Sequence, residues 1–376
     1  MTPRIERFLA DHRPPSPCLV VDLNRVGENY RAIAEALPAA RIHYAVKANP
    51  APRILEMLVS LGSCFDAAGP REIDACLAAG ASPGDLSYGN VVKKPGDIAK
   101  AFRQGVRLFA FDSAGELEKL AQAAPAAKVY CRVLAPNDGA EWPLSRKFGC
   151  SLDMARDLMV RARDLGLDAH GISFHVGSQQ TDPHQWEVAI GRAAMVFSDL
   201  REAGIEIKMI NLGGGFPVPY RDPVPGFDAI AEVIMKAMTA NFGNRLPAMA
   251  IKPGRKIAAE AGVIESEVVL VSRKSYDDEM RWVYLDVGLF GGLAETMGEA
   301  IKYRIVTPRD GASAGPVAIA GPTCDGADIL YEDAGYTLPL DLKAGDRVRL
   351  PGTGAYTATY ASVGFNGFAP LESYYV

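Results

Sequence analysis

Short apolar runs, each closed by a turn and followed by a stretch of helical periodicity, recur along the first two thirds of the chain. The runs lie at 42–47, 63–67, 86–89, 108–111, 129–134, 171–175, 209–212 and 249–252. Between them, apolar positions spaced three and four apart predict helices at 52–61, 71–79, 94–104, 114–123, 151–165, 183–203 and 227–241. Eight strands alternating with helices predict an α/β chain, with a (β/α)8 TIM-type barrel over residues 24–256. After Gly262 the rhythm changes. Runs at 263–271, 282–287, 317–320, 347–350 and 357–362 read as strands with little helix between them, which predicts a mostly antiparallel β domain over 257–376. Residues 1–23 join that domain through a strand at 18–22. Ahead of it, 1–17 reads as a polar, stiff lead-in ending in Pro14-Pro15-Ser16-Pro17, and Asn24 as the cap of a helix reaching Ala36.

Composition narrows the class. The 376 residues are 48% apolar and 23% charged, with a net charge of −5, and Lys and Arg are scattered. That gives no footprint for nucleic acid. Cys18, Cys64, Cys76, Cys131, Cys150 and Cys324 form no Cys-x-x-Cys pair and have no metal-like spacing with the five histidines; most sit in apolar runs and read as reduced core thiols. No leader-like apolar segment or membrane-length run is found, so a cytoplasmic protein without membrane or metal is expected.

Chemistry gathers where barrel sites sit, at the C-terminal ends of the strands. Lys47 closes the first run and is followed by Ala48-Asn49-Pro50. Asp66 lies near the end of the second, Arg132 in the fifth, and His175 ends the sixth. The seventh enters Gly213-Gly214-Gly215 and the eighth Lys252-Pro253-Gly254-Arg255. Each alone has an ordinary reading: a solvated lysine, a core histidine, a flexible turn. Their convergence on one rim is the argument. Consecutive glycines let backbone N–H groups approach an anion, and Arg255 adds a charge for a phosphate. His175 is placed to lie against an aromatic ring, with Ser178 as a phosphate donor and Tyr356 as another. The turn-rich loop 321–326 carries Cys324 and Asp325; an Asx-type turn is its ordinary reading.

The motifs YAVKAN, FDAAGPREI, HVGSQ, NLGGGFP, PGR, GPTCDGAD and GAYT…FNGF span residues 44 to 368. Together the chain resembles the fold-type III pyridoxal-phosphate decarboxylases of basic amino acids, most closely the bacterial ornithine decarboxylases. The resemblance implies pyridoxal 5'-phosphate bound to Lys47, with Asp66 and Glu72 managing its charge and Arg132 close by. His175 would stack on the ring, and Ser178, Gly214, Gly215, Arg255 and Tyr356 would hold the phosphate. It also implies a homodimer with shared active sites. There Cys324 reprotonates Cα, Asp325 binds the distal ammonium of a small cationic amino acid, and Phe365 walls the pocket. Glu299 is a second candidate for that ammonium. The implied reaction is decarboxylation of L-ornithine, or lysine, to a diamine and CO2.

One residue departs from the family pattern. Lys252 stands where the family has a glutamate paired to the pyridine nitrogen. A cation there disfavours protonation of the ring, which implies impaired turnover. A variant working with an unprotonated ring, or a Lys252 turned away with Glu260 or another acid in its place, are the other readings. A racemase or other Cα chemistry, or a catalytically silent regulatory homologue, are the competing functions.

Overall fold

Eight short strands, nearly all with buried side chains, close into a parallel barrel in the computed structural model, which describes residues 1–136, 138–142 and 147–376. They are Ala40–Ala45, Cys64–Ala67, Leu86–Tyr88, Leu108–Phe111, Lys128–Arg132, Asp168–Ser173, Met209–Asn211 and Ala248–Ile251. The ring closes where Ile251 lies opposite Ile42 in parallel register. The predicted barrel is therefore present, and each of the eight runs supplies one strand.

Buried on both faces, such strands read as continuous apolar runs rather than alternating ones. Inside, Tyr130 shares a 2.8 Å hydrogen bond with Ser87 and packs with Val91, Ala110, Met209 and Ala250. Outside, Trp186 stacks on Phe216 at 5.1 Å, and Phe216 meets Phe227 edge-on.

Two strand ends differ from expectation in a way that matters for chemistry. The first strand stops at Ala45, and Lys47 rides on a separate single turn, Val46–Ala48. The Tyr44 hydroxyl donates to the Asn49 carbonyl at 3.0 Å, and the Asn49 side chain accepts from Ala51 N–H, so this turn is pinned from both sides. The sixth strand ends at Ser173, two residues before His175. Beyond it a small ribbon pairs Ser178–Gln180 with Ala140–Trp142. These strands are too short and polar to show as a pattern in the sequence.

The chain divides into two compact units, one of residues 27–217 and 224–254, the other of 1–26, 218–223 and 255–376. The second is built on a seven-stranded sheet in the order Ile329–Pro339, Ala314–Ala320, Arg281–Leu285, Gly262–Ser272, Cys18–Val21, Glu372–Tyr375, with Arg347–Pro351 also paired to Gly262–Ser272. Four of its pairings are antiparallel and two parallel, as a mostly antiparallel domain requires.

The N-terminal lead-in is not a stiff tail but a helix, Pro3–His12, whose first turn is capped by the Thr2 side chain accepting from Ile5 N–H. Ile5 and Leu9 face inward onto Cys18, Val20 and Val263. The next helix, Leu23–Ala36, starts one residue before Asn24, and Asp22 takes the Asn24 N–H at 3.0 Å. The strand expected at 357–362 is instead a turn, Ala358–Tyr360. Thr357 donates its hydroxyl to the Thr353 carbonyl and Tyr360 N–H bonds Thr357, which curls the segment. Two strands, Ile329–Pro339 and Glu372–Tyr375, carry Glu, Asp, Gly and Tyr in place of a clean apolar run and escape the sequence reading. No helix among the described residues is long and apolar enough to cross a membrane.

A charged group buried in the barrel unit fixes one end of the fold. The Lys93 amine donates to the carbonyls of Asn90 and Ala110 at 2.7 and 2.6 Å and meets Glu116 at 2.9 Å, with both side chains almost inaccessible. Lys119 pairs with the same carboxylate. Burial pushes the Lys93 amine down to about 8, against the pull of Glu116. Neutralising one partner strands the other charge in a dry site. Glu116→Gln is therefore expected to lose about 3 kcal/mol of stability in urea unfolding; a loss too small to measure would show that the two carbonyls suffice for Lys93.

Candidate active site

Within the barrel unit, the exits of the first, second and eighth strands place three ionisable groups together. Lys47 is solvent-exposed on its turn. Asp66, buried at the end of the second strand, lies with Oδ2 3.5 Å from the Lys252 amine, and its Oδ1 has no hydrogen-bond partner. Burial lowers the Lys252 amine, with Asp66 opposing and Arg132 and Lys47 adding to the fall. The Lys252 amine is thus paired with Asp66; in the other unit, Glu260 lies 3.6 Å from Lys256 and 4.0 Å from Arg25. Gly89 makes room for the carboxylate, since a Cβ there would fall 2.1 Å from Asp66 Oδ1.

Around this core burial shifts the remaining barrel candidates. Gly177 N–H donates to His175 Nδ1 at 3.1 Å, and burial with Arg132, Lys47 and Lys252 nearby holds the imidazole well below its usual range. His175 is neutral, its other nitrogen turned toward Gly214. Burial raises the Glu72 carboxyl, although Ala68 N–H donates to it at 2.6 Å. Burial also lowers Arg132, whose guanidinium lies 5.3 Å from the Phe148 ring centre. Ser178 opens the small ribbon after His175. His43, unremarked in the sequence, sits beneath Asp66; burial pushes it down to about 4.

The triple glycine has a second reason to be glycine. A Cβ on Gly213, Gly214 or Gly215 would fall 2.3 Å from the Phe174 carbonyl, 2.5 Å from that of Lys252 and 2.2 Å from that of Gly177. The turn is wedged between neighbouring backbones. Gly213 N–H is taken by Asn211 Oδ1, whereas among the described residues the N–H groups of Gly214 and Gly215 have no acceptor. Two consecutive open N–H groups beside a neutral imidazole, a lysine and a carboxylate fit the phosphate, ring and aldehyde of pyridoxal phosphate.

The other unit holds the remaining candidates in two places. Arg255 is buried and gripped by Glu295 through two 2.6 Å bonds and by the Tyr220 hydroxyl at 2.7 Å, with the Tyr356 ring 4.9 Å away. Burial works against its charge, but Glu295 and Tyr220 hold it well above the usual range. Glu295 and Tyr220 were missed in the sequence, although an acidic residue inside the apolar stretch 293–297 is a cue. Elsewhere, Asp325 accepts from Ala327 N–H at 2.9 Å, the ordinary Asx-type turn, and the exposed Cys324 bonds Asn366. Phe365 packs on Phe290 at 4.7 Å. Glu299 spends one oxygen on the N–H groups of Glu332 and Asp333. No metal-binding cluster exists among the described residues.

His43 makes the barrel sensitive to acid. Its pKa falls from 6.5 to about 4 on folding, so only the unfolded chain takes up the proton between those values. Its contribution to stability is complete above pH 6.5 and disappears as the pH drops toward the folded value, a loss of about 3 kcal/mol. Urea midpoints measured across that window are expected to fall with pH in the wild-type protein and to fall less in His43→Gln. Parallel curves for the two proteins would rule out His43 as the cause.

Residues 23–259 match the family described as "Pyridoxal-dependent decarboxylase, pyridoxal binding domain". The chain is 36% identical to the lysine/ornithine decarboxylase of Selenomonas ruminantium over 358 residues, covering 95% of this chain and 88% of that one. Among solved structures, SrLDC in complex with PLP and cadaverine aligns with a TM-score of 0.88 at 34% identity, over 99% of this chain and 93% of the other. The arginine decarboxylase of Paramecium bursaria Chlorella virus bound to agmatine aligns at 0.91 and 27%, over the whole of both chains. The barrel, its lysine turn and its open glycine N–H pair therefore belong to a member of the pyridoxal-dependent decarboxylase family.

Proposed function

We propose that this enzyme decarboxylates a small basic amino acid, L-ornithine or its longer homologue lysine, to a diamine and CO2, working as a homodimer. The observation that carries the reading is the grouping of Lys47, the buried Asp66, the neutral His175 and the open Gly214–Gly215 amides at one end of the barrel. Relatives of known structure are described with cadaverine, putrescine and agmatine, all small cations.

When bound, the cofactor supplies a sink for the electron pair left at Cα as CO2 departs. Lys47 would hold its aldehyde and give way to the substrate amine. His175, kept neutral, would offer a flat face without adding charge to a rim already rich in cations. Gly214, Gly215 and Ser178 would donate to phosphate oxygens, and Arg255 and Tyr356 are the phosphate candidates of the other unit. Glu295 keeps Arg255 ionised and immobile. Asp66, Glu72 and Arg132 balance charge around the lysine. In the dimer, Cys324 of one subunit protonates Cα at the Lys47 of the other. Asp325 takes the distal ammonium there, with Glu299 in reserve, and Phe365 closes the wall.

Lys252 is the element that weakens this machine. Its amine is paired with Asp66 on a side chain 13% exposed, and it would bring a positive charge to the place where the family's glutamate favours a protonated ring nitrogen. Lys252→Glu is expected to raise turnover by about tenfold, or 1.4 kcal/mol of barrier. If the wild-type protein already matches the variant, the charge at this position does not limit the reaction. Substrate and reaction are separated by one assay: a panel of basic amino acids with CO2 and amine followed together. A matched yield of diamine and CO2 from ornithine or lysine is expected. Racemised amino acid without CO2 would replace this reading with Cα chemistry. A borohydride-sensitive absorption band that Lys47→Ala lacks is expected; without it the chain would be a silent homologue.

A further inference from the structure

Of the six cysteines only Cys324 is exposed, and its thiol closes a ring of contacts that runs through two loops. The ring starts at Asp328, which is 2% exposed. Its Oδ2 accepts from the N–H and the hydroxyl of Thr323 at 3.0 and 2.7 Å, and its Oδ1 accepts from Leu289 N–H at 2.7 Å. Gly288 and Gly321 press so closely on this carboxylate that a Cβ on either would fall 2.2 or 2.4 Å from Oδ1. One side chain thus ties the Cys324 loop to the loop that carries Phe290. Phe290 packs on Phe365, and the next residue, Asn366, returns to the thiol: its Oδ1 lies 3.1 Å from Cys324 N and 3.4 Å from Cys324 Sγ.

We propose that Asn366 is a positioning residue, whose side-chain oxygen holds Cys324 through both its N–H and its S–H and so fixes where the thiol stands before it delivers its proton. The proposal rests on the reading of Cys324 as the donor to Cα. The Cys324 N–H bond fixes where Oδ1 sits, and the weak S–H bond to the same oxygen fixes the rotamer of the thiol; that bond breaks as the proton leaves. As the substrate's carbon–carboxylate bond breaks and CO2 leaves, the bonding pair remains at Cα. The S–H proton moves to that carbon, and water returns a proton to the thiolate. The backbone also selects the residue type. Asn366 has φ 50°, a left-handed conformation open to Gly, Asn and Asp and costly for most other side chains.

That conformation supplies clean variants. Asn366→Gly removes the side chain at a φ that glycine adopts without strain, and Asn366→Asp keeps an acceptor oxygen. With the purified, cofactor-loaded protein, iodoacetamide reports Cys324 because the other five thiols are buried. The rate of alkylation reads how freely the Cys324 sulfur can turn to meet the reagent. Asn366→Gly is expected to alkylate several-fold faster than wild type. Its kcat should fall about tenfold while KM stays within about twofold, because Asp325 is untouched. Asn366→Asp should restore slow alkylation and most of kcat. Unchanged alkylation in Asn366→Gly, or an Asp variant as impaired as the Gly one, would overturn the role of the Asn366 oxygen. A full diamine yield from Cys324→Ala would instead overturn the proton-donor reading and with it the catalytic half of this proposal, whatever the alkylation rates show.

Discussion

Removing an ionised group from water is costly unless a partner of opposite charge and good hydrogen bonds come with it. That constraint organises both units. In the barrel, Asp66 is buried and lies beside the amine of Lys252, with Gly89 stripped to a hydrogen to admit it. Lys93 is buried with Glu116 and two carbonyls. In the sheet unit Arg255 is buried with Glu295 and Tyr220. Each charge is specified by its surroundings, so a change in one member alters the protonation or the direction of the rest.

Lys252 shows why such a pair resists simple description. It satisfies Asp66 electrostatically, so the fold accepts it, yet under the proposed function the same charge would work against the electron sink. Stability and chemistry ask opposite things of that position. His175 meets both demands by losing its charge: one nitrogen is occupied by Gly177 N–H and burial penalises the second proton.

The barrel is readable in the sequence because its strands are buried on both faces and each stands as an uninterrupted apolar run. The rim residues are readable because Lys47, Asp66, His175 and the glycines fall at the ends of those runs. What pairs with them is not. Glu295 and Tyr220 reach Arg255 from segments 40 and 35 residues away, and Asn366 reaches Cys324 across 42; no local pattern encodes such contacts. The missed strands Ile329–Pro339 and Glu372–Tyr375 are set by pairing rather than by their own composition, and the turn at Ala358–Tyr360 by hydroxyl bonds to backbone.

The strand Cys18–Val21 lies inside its sheet, between Gly262–Ser272 and Glu372–Tyr375. It precedes every barrel strand, yet its neighbours emerge only roughly 250 and 350 residues later. Closing loops of that size costs entropy before any ladder bond repays it. During synthesis the barrel strands can therefore complete their ring while this apolar segment still waits, its edges unsatisfied, for Gly262–Ser272 and Glu372–Tyr375. Removing Glu372–Tyr375 would leave it open on one side for good, a liability for aggregation.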